Sequence, residues 1–153
     1  MKVREIMTKD INSITPETTC QEAVGLLEKM QISGLPVIDE QDKLVGMFTE
    51  KEILSYILPS YIEKVGRFIY EANPKATKTK FTQLSKIKVS QLMRRNVITT
   101  TEDTVLCEVA RIMLTQKARR LPVLDKSGKV VGIVARGDVL RALTKEAKAL
   151  TNV

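Results

Sequence analysis

The sequence contains no histidine and no tryptophan, and only two of its 153 residues are cysteines. Without histidine, the chain lacks the most frequent general base and metal ligand, and neither Ser-His nor Cys-His nucleophile pairs can form. Cys20 and Cys107 lie far apart with no CxxC spacing, so they indicate neither a disulfide scaffold nor a zinc site. We therefore expect two buried thiols, no catalytic residue and no metal.

The sequence also lacks long apolar runs and has few aromatic residues. A membrane-spanning helix needs about 20 consecutive apolar residues, and the first residues lack the charged start and apolar stretch of a signal peptide. We expect a cytoplasmic protein that has no membrane partner. Aromatic residues make up 4% of the chain, which argues against a surface that stacks RNA bases.

The net charge of +7 is distributed unevenly. Residues 1–57 carry 6 basic and 10 acidic side chains, residues 58–88 carry 7 and 2, and residues 89–153 carry 12 and 6. The positive charge therefore belongs to the middle and the second half of the chain. Basic segments of this kind serve to bind nucleic acids, to bind small phosphates, or only to keep the surface solvated.

The second half of the chain repeats the first at an offset of 86 residues. Segment 3–57 aligns with segment 89–143 without a gap, and 13 of the 55 aligned pairs are identical. The run LPVID at 35–39 recurs as LPVLD at 121–125, and each copy is soon followed by a Val-Gly pair. Since repetition at a fixed period indicates a duplicated structural unit, we divide the chain into repeat 1 (1–57), a linker (58–88) and repeat 2 (89–153).

Local patterns predict a strand, a helix, two strands and a second helix in each repeat. Thr18 or Thr19 can cap a first helix, whose apolar face is predicted to contain Ala23, Leu27 and Met30 in repeat 1 and Val109, Met113 and Leu114 in repeat 2. Apolar runs around the polar turns at 39–43 and 125–129 predict β-hairpins. The second helices are predicted at about 49–57 and 136–143. The expected fold is α/β, with two pseudo-symmetric repeats packed sheet to sheet.

The linker is longer than a simple connection requires. Pro59 suits the first turn of a helix, and a helix at 59–72 would carry one apolar stripe formed by Leu58, Tyr61, Ile62, Val65, Phe68 and Ile69. This stripe either covers the chain's own core or forms a surface for a second copy or another partner.

Several motifs recur in the same order in both repeats. Repeat 1 has IMT at 6–8, SITPETT at 13–19, GLPVID at 34–39 and LVGMFTEKEIL at 44–54; repeat 2 has LMRRNVITTTEDT, RLPVLD and VVGIVARGDVL. This order resembles a tandem pair of cystathionine-β-synthase (CBS) domains over nearly the whole chain. The resemblance implies a Bateman module with pseudo-two-fold symmetry, two ligand clefts between the repeats, and a homodimer.

The resemblance also implies which segments hold a ligand. These are the stretch before the first helix, the residues ahead of the Pro-Val motif, and a Gly-x-x-Thr/Ser-x-x-Asp segment at the second helix. Extended backbone can bind an adenine edge, a helix N-terminus and a hydroxyl suit phosphate, and a carboxylate accepts hydrogen bonds from ribose. Repeat 1 has Thr49 but Glu52 at the acidic position, whereas repeat 2 has Asp138 but Ala135 at the hydroxyl position.

Two interpretations of these residues stay open. Thr49 and Glu52 also fit a helix capping box, which needs no ligand; a reciprocal box cannot form at Asp138 because Ala135 has no hydroxyl. Ahead of the second Pro-Val motif, Lys117, Arg119 and Arg120 form either a phosphate clamp or a solvated charged edge.

The family's crossed arrangement of repeats gives two unequal clefts when it is applied to this chain. The first would place Thr49 and Glu52 opposite Ile98, Thr99, Thr100, Arg119 and Arg120, and the second would place Arg136 and Asp138 opposite Ser13, Ile14, Thr15 and Ser33. We expect di- or triphosphates in the first cleft, and a less charged adenosyl ligand or none in the second.

The sequence thus predicts a non-catalytic regulatory module that binds AMP, ADP, ATP or S-adenosylmethionine, needs no cofactor, and acts on an unidentified protein target. The alternative is a nucleic-acid or protein-interaction module that uses the basic linker and repeat 2 without a nucleotide ligand; nucleic-acid binding would then fall steeply with salt. An enzyme is disfavoured because the chain lacks histidine, a metal-ligand cluster and a Gly-rich phosphate loop.

Overall fold

The computed structural model describes residues 1–58 and 74–151. Its helices are α1 (Cys20–Met30), α2 (Glu50–Ile57), α3 (Pro74–Thr82), α4 (Val89–Leu92), α5 (Leu106–Thr115) and α6 (Arg136–Thr151), with short 3-10 helices at Val3–Glu5 and Gln83–Lys86. Its strands are β1 (Gly34–Ile38), β2 (Leu44–Thr49), β3 (Thr100–Thr101), β4 (Arg120–Leu124) and β5 (Val130–Ala135). The predicted linker helix at 59–72 lies outside the described residues.

The secondary structure repeats at the offset found in the sequence. Helix α1 and strands β1 and β2 begin at Cys20, Gly34 and Leu44, and their counterparts α5, β4 and β5 begin 86 residues later at Leu106, Arg120 and Val130. Pro36 and Pro122 are each the third residue of their strand. The prediction of an α/β fold with two equivalent repeats is confirmed.

Each repeat contains a pair of strands and a shorter strand segment before its first helix. Strand β1 pairs with β2, while β3, β4 and β5 form a second sheet in which β3 is parallel and β5 antiparallel to β4. Thr100 in β3 pairs with Val123, and the equivalent residue Ile14 forms an isolated parallel bridge with Val37. The first predicted strand is therefore only two residues long in repeat 2 and a single bridge in repeat 1.

The aspartate after each Pro-Val motif shapes the turn that follows. Asp125 Oδ1 accepts hydrogen bonds from the Ser127 hydroxyl at 2.7 Å and from the backbone N–H groups of Ser127 and Lys129 at 2.9 and 3.0 Å. These donors, the Ser127 hydroxyl first among them, hold the pKa of Asp125 below its ordinary value. In repeat 1, Asp39 accepts one such bond from the Gln41 N–H at 2.9 Å. The aspartates recur because their side chains close the turn.

The first helices pack through apolar faces, with two differences from the prediction. Thr19 caps α1 by accepting from the Glu22 N–H at 3.1 Å, and the cores around α1 and α5 contain Ala23, Leu27, Val109 and Met113. The placement of Leu114 on the α5 face was wrong: it is 73% exposed, because it lies five residues after Val109 and so on another side of the helix. Cys20 is buried as expected, but Cys107 is exposed, which corrects the expectation for that thiol.

The last helix is longer than predicted. Helix α6 continues to Thr151, whereas its counterpart α2 ends at Ile57. Among the described residues, no helix is both long and apolar enough to cross a bilayer.

The described residues form two compact units, and each takes its first segment from elsewhere in the sequence. One unit, the repeat-1 unit, contains residues 13–41, 45–58 and 74–97, and the other, the repeat-2 unit, contains residues 1–12, 42–44 and 98–151. In the repeat-2 unit, the Val3 N–H donates to Thr104 O at 2.9 Å, and the Leu106 N–H donates to Met1 O at 3.1 Å. Residues 1–12, which begin repeat 1 in the sequence, therefore complete the unit of repeat 2.

The repeat-1 unit has the matching arrangement. The Val89 N–H donates to Thr18 O at 2.8 Å, and the Met47 and Arg94 backbones bond each other in both directions. Each pair has a counterpart in the repeat-2 unit, where residues 3–8 make the same contacts with partners at equivalent positions, 86 residues away in the sequence. The first segment of each repeat thus packs in the unit of the other repeat. This explains why Val3 recurs as Val89 and Met7 as Met93, since the two segments contact equivalent surfaces.

Candidate functional site

The start of the second helix has the same backbone geometry in both units. The Glu50 N–H donates to Ser33 O at 2.9 Å, and the Arg136 N–H donates to Arg119 O at 3.0 Å. In each unit, the residues ahead of the Pro-Val motif therefore lie beside the N-terminus of a helix. Free N–H groups and the helix dipole make such a terminus favourable for an anion.

In the repeat-1 unit, Thr49 and Glu52 form the capping box that the sequence allowed. The Glu52 carboxylate accepts from the Thr49 N–H at 2.9 Å and from the Thr49 hydroxyl, and Thr49 Oγ1 accepts from the Lys51 N–H at 3.2 Å. Both side chains are thus engaged in starting α2. A ligand at this place would have to share or replace these bonds.

Gly34, the strand residue beside this helix start, has no side chain. A Cβ placed on Gly34 would lie 2.8 Å from Thr49 Cγ2, which is closer than two carbon atoms pack, and 3.4 Å from Phe48 O. Rotation of Thr49 away from this contact would move its hydroxyl out of the capping box. Thr49 therefore requires a glycine at position 34.

In the repeat-2 unit, the strand position equivalent to Gly34 holds a large residue and the position equivalent to Thr49 holds a small one. Arg120 lies opposite Ala135 in the β4–β5 register, where repeat 1 has Gly34 and Thr49. Ala135 has no hydroxyl and no γ-methyl group, so it leaves space beside position 120. Arg119, Arg120 and Arg136 are all exposed, and the backbone hydrogen bond from Arg136 to Arg119 places these three residues near one another in the chain fold at the start of α6.

Asp138 is the acid of this region, and both of its oxygens are engaged. Oδ2 accepts from the Ala135 N–H at 2.9 Å, and Oδ1 accepts from Arg141 Nη2 at 2.5 Å. The side chain of Asp138 is only 18% exposed, whereas that of Arg141 is 75% exposed. The carboxylate half of a capping box therefore forms even though Ala135 cannot supply the hydroxyl half.

In the segment before α1, the backbone hydrogen-bonding groups of Ile14 and Thr15 are already paired within the repeat-1 unit. The Ile14 N–H donates to Pro36 O at 3.1 Å, and Ile14 O accepts from the Ile38 N–H at 2.8 Å, so both its backbone groups already pair with β1. The Thr15 N–H donates to the Thr18 hydroxyl at 3.1 Å. Ser13 is exposed, Ser33 is half-buried, Ile98 and Thr99 are half-buried, and Thr100 is buried.

Some of the predicted site residues thus lie close to one another within a single unit. It places Arg119 and Arg120 beside Arg136 and Asp138, a neighbourhood that the crossed arrangement did not include, and it places Ser33 beside Thr49 and Glu52. Sequence reasoning missed Arg141. Its signal was present, because an acid and an arginine three residues apart lie on the same face of a helix. Within the described ranges, no three histidine, cysteine or acidic side chains cluster so that they could hold a metal ion.

Comparison with protein families identifies the repeats. The family model "CBS domain" matches residues 3–59 and again residues 89–145. Among curated proteins, the chain is 38% identical over 149 residues to the CBS domain-containing protein CBSX1, chloroplastic, of Arabidopsis thaliana. This alignment covers 92% of the chain and 63% of CBSX1, so the chain spans a little less than two thirds of that relative.

Two solved structures with similar folds contain adenosyl ligands. CBSX2 in complex with AMP is 30% identical and superposes with a TM-score of 0.73, covering 95% of this chain and 98% of that one; CBSX2 is an Arabidopsis thaliana protein. The CBS domain pair of protein MJ0100, in complex with 5-methylthioadenosine and S-adenosyl-L-methionine, is 28% identical with a TM-score of 0.66 and the same coverage.

Proposed function

Because the chain belongs to the CBS domain family, we propose that it is a non-catalytic sensor that binds adenine nucleotides or related adenosyl ligands and reports their level to a protein target. The AMP complex of CBSX2 and the S-adenosyl-L-methionine complex of MJ0100 support this ligand class. The observation that carries the proposal is the backbone hydrogen bond from Arg136 to Arg119, because it brings the predicted phosphate-binding and ribose-binding residues to one helix start.

The ribose binds Asp138 and the phosphates bind the arginines. A carboxylate oxygen accepts hydrogen bonds from ribose hydroxyls, and Asp138 lies in the first turn of α6. Arg136 begins this helix and is joined to Arg119, the neighbour of Arg120, by a backbone hydrogen bond. Guanidinium groups bind phosphate through paired N–H donors. We therefore assign Arg119 and Arg120 to the Asp138 site and not to the Thr49 site.

The Thr49 site binds charged ligands less well. Thr49 and Glu52 are occupied by the capping box, and their strand neighbours are Ser33 and Gly34 in place of two arginines. A bound anion would meet the Glu52 carboxylate without a neutralising group at the equivalent positions. The two repeats therefore differ in ligand charge, with phosphates at repeat 2.

A thermal-shift and calorimetric series tests the proposal. AMP, ADP, ATP and S-adenosylmethionine are each added to the wild-type chain, and a ligand at 100 times its dissociation constant should raise the free energy of unfolding by about 2.7 kcal/mol. The Arg120→Ala variant should bind ADP and ATP with a free energy about 1.5 to 3 kcal/mol less favourable, and Asp138→Ala should lose binding of all four ligands at this site.

Lys126→Ala is the matched control, because it removes one positive charge from an exposed turn of the same unit. Its affinity for ADP and ATP should stay close to that of the wild type. The proposal fails if none of the four ligands binds, or if the Lys126→Ala and Arg120→Ala losses are equal. Salt-sensitive binding of nucleic acid without any mononucleotide binding would favour the interaction module instead.

A further inference from the structure

Arg141 occupies the carboxylate that the proposed ribose site needs. Its Nη2 donates to Asp138 Oδ1 at 2.5 Å, while the Ala135 N–H holds Oδ2. The two hydroxyls of a ribose approach a carboxylate as two donors, and each needs an accepting oxygen. Each carboxylate oxygen can accept a second hydrogen bond, but Asp138 is only 18% exposed, so a ribose hydroxyl that approaches Oδ1 competes with the guanidinium and can displace it.

The displaced guanidinium stays near the start of α6. Arg141 is 75% exposed, so its side chain can change rotamer without disturbing the core. Its Nη1 already lies 3.3 Å from the position that a Cβ on Gly137 would occupy, so the guanidinium rests against the first turn of the helix. An anionic group at that turn gives the released arginine a new partner, whereas an uncharged ligand gives it none.

Repeat 1 has no equivalent of this arrangement. The residue at the position of Arg141 is Ser55, and the acid is Glu52, which bonds Thr49. The pair is therefore a property of repeat 2, where the arginines Arg119 and Arg120 also lie.

We propose that Arg141 is a specificity residue: it competes with ribose for Asp138 and so makes the site select adenosyl ligands that carry an anionic group. This inference rests on the proposed function. Uncharged adenosine loses the Asp138–Arg141 ion pair when it binds, while AMP replaces that pair with a phosphate–Arg141 pair. Exposed ion pairs are weak, so the effect on adenosine affinity is about two- to fivefold.

Calorimetric titration of adenosine and AMP against the wild type and Arg141→Gln tests the inference. The variant should bind adenosine about two- to fivefold more tightly, and AMP no more tightly than the wild type, so that the preference for AMP falls. Arg141→Lys keeps the charge and should retain most of the preference. Lys145→Gln removes an exposed charge one turn further along α6 and should leave the ratio of the two affinities unchanged.

A double-variant cycle ties the effect to Asp138. In an Asp138→Asn background, which keeps an accepting oxygen for ribose but removes the ion pair, Arg141→Gln should no longer raise the affinity for adenosine, because the competing pair is already absent. An unchanged ratio in Arg141→Gln alone, or an equal change for both ligands, overturns the inference and leaves the proposed function standing. If the wild type binds neither adenosine nor any nucleotide, the proposed function fails and the inference fails with it.

Discussion

The starts of α2 and α6 share one backbone arrangement and carry opposite side chains. In repeat 1, the side chain of Thr49 occupies the space beside Gly34, which has no side chain. In repeat 2, Ala135 leaves the equivalent space open beside the larger Arg120. In repeat 1 the larger residue of the pair therefore lies at the end of β2, and in repeat 2 it lies at the start of β4. The first combination gives a complete helix cap with Ser33 and Gly34 ahead of the Pro-Val motif, and the second gives an incomplete cap with two arginines at the same positions.

This difference shows how a duplicated unit can specialise without a change of fold. The helix of repeat 1 gains its capping box from Thr49 and Glu52, and the site loses the space for a basic side chain. Repeat 2 gives up the hydroxyl and keeps only the acid of the cap, Asp138. Under the proposed function, the complete cap of repeat 1 goes with a weaker site for charged ligands, and the incomplete cap of repeat 2 goes with a stronger one.

The largest effect should follow from placing the repeat-2 residue into repeat 1. Gly34→Arg puts a Cβ 2.8 Å from Thr49 Cγ2, and relief of this contact breaks the cap, so the free energy of unfolding should fall by about 1 to 3 kcal/mol. The double variant Gly34→Arg/Thr49→Ala recreates the repeat-2 combination and should recover part of this loss. Urea denaturation of the single and double variants measures the coupling.

Thr49→Ala alone is the control for this cycle, because it removes the cap without adding a clash and should cost about 1 kcal/mol. A double variant that is less stable than Gly34→Arg would show that positions 34 and 49 do not compensate each other.

A smaller effect should follow at the buried strand residue that differs between the repeats. Ile14 is apolar, whereas the equivalent Thr100 is 6% exposed and its hydroxyl has no hydrogen-bond partner in the part of the chain that the structure describes. Thr100→Val removes this unpaired group at nearly constant volume and should raise the free energy of unfolding by about 1 kcal/mol. Denaturant titration gives the value.

Thr101→Val provides the neighbouring comparison. The Thr101 hydroxyl is exposed and bonds that of Thr104 at 2.9 Å, so its loss should give no stabilisation. A Thr100→Val protein that is no more stable than Thr101→Val would mean that the buried hydroxyl is satisfied, for instance by a water molecule.

The smallest effect concerns the thiols and does not change stability. Burial raises the pKa of Cys20 to about 11, so near pH 8 it is almost entirely in the unreactive thiol form, whereas Cys107 is exposed. A disulfide reagent should modify one thiol in the folded protein and two after denaturation. The variant Cys107→Ser should lose the modification of the folded state; rapid labelling that persists in this variant would contradict the burial of Cys20.

Much of the fold could be predicted because its signals are local. The caps at Thr19 and Thr49 and the turns after the Pro-Val motifs each lie within a short stretch of sequence, and the 86-residue offset follows from comparing the chain with itself. Helix faces were less certain: Leu114 looked apolar enough for the core, but its angular position on α5 decides its exposure. The length of α6 also exceeded the prediction, because nothing after Leu143 in the sequence ends a helix.

The candidate site was predictable in its residue types and not in its grouping. The sequence singled out Asp138 through the family resemblance and Arg119 and Arg120 through their clustering, with a solvated charged edge left open as the alternative for the arginines. It did not show that Arg119 and Arg136 are joined by a backbone hydrogen bond, because that bond spans a whole hairpin. It also left Arg141 unnoticed, since the pairing depends on the rotamers of two side chains.

The sequence by itself determined the number of repeats, the order of their elements and the absence of histidine chemistry, because repetition, periodicity and composition are properties of the chain alone. Only the tertiary structure decided that residues 3–8 complete the unit of repeat 2 and that 88–94 complete the unit of repeat 1. The two segments are similar in sequence and each repeat has an equivalent surface for them. Local signals therefore cannot assign either segment to its unit, and the path of the connecting chain makes that choice.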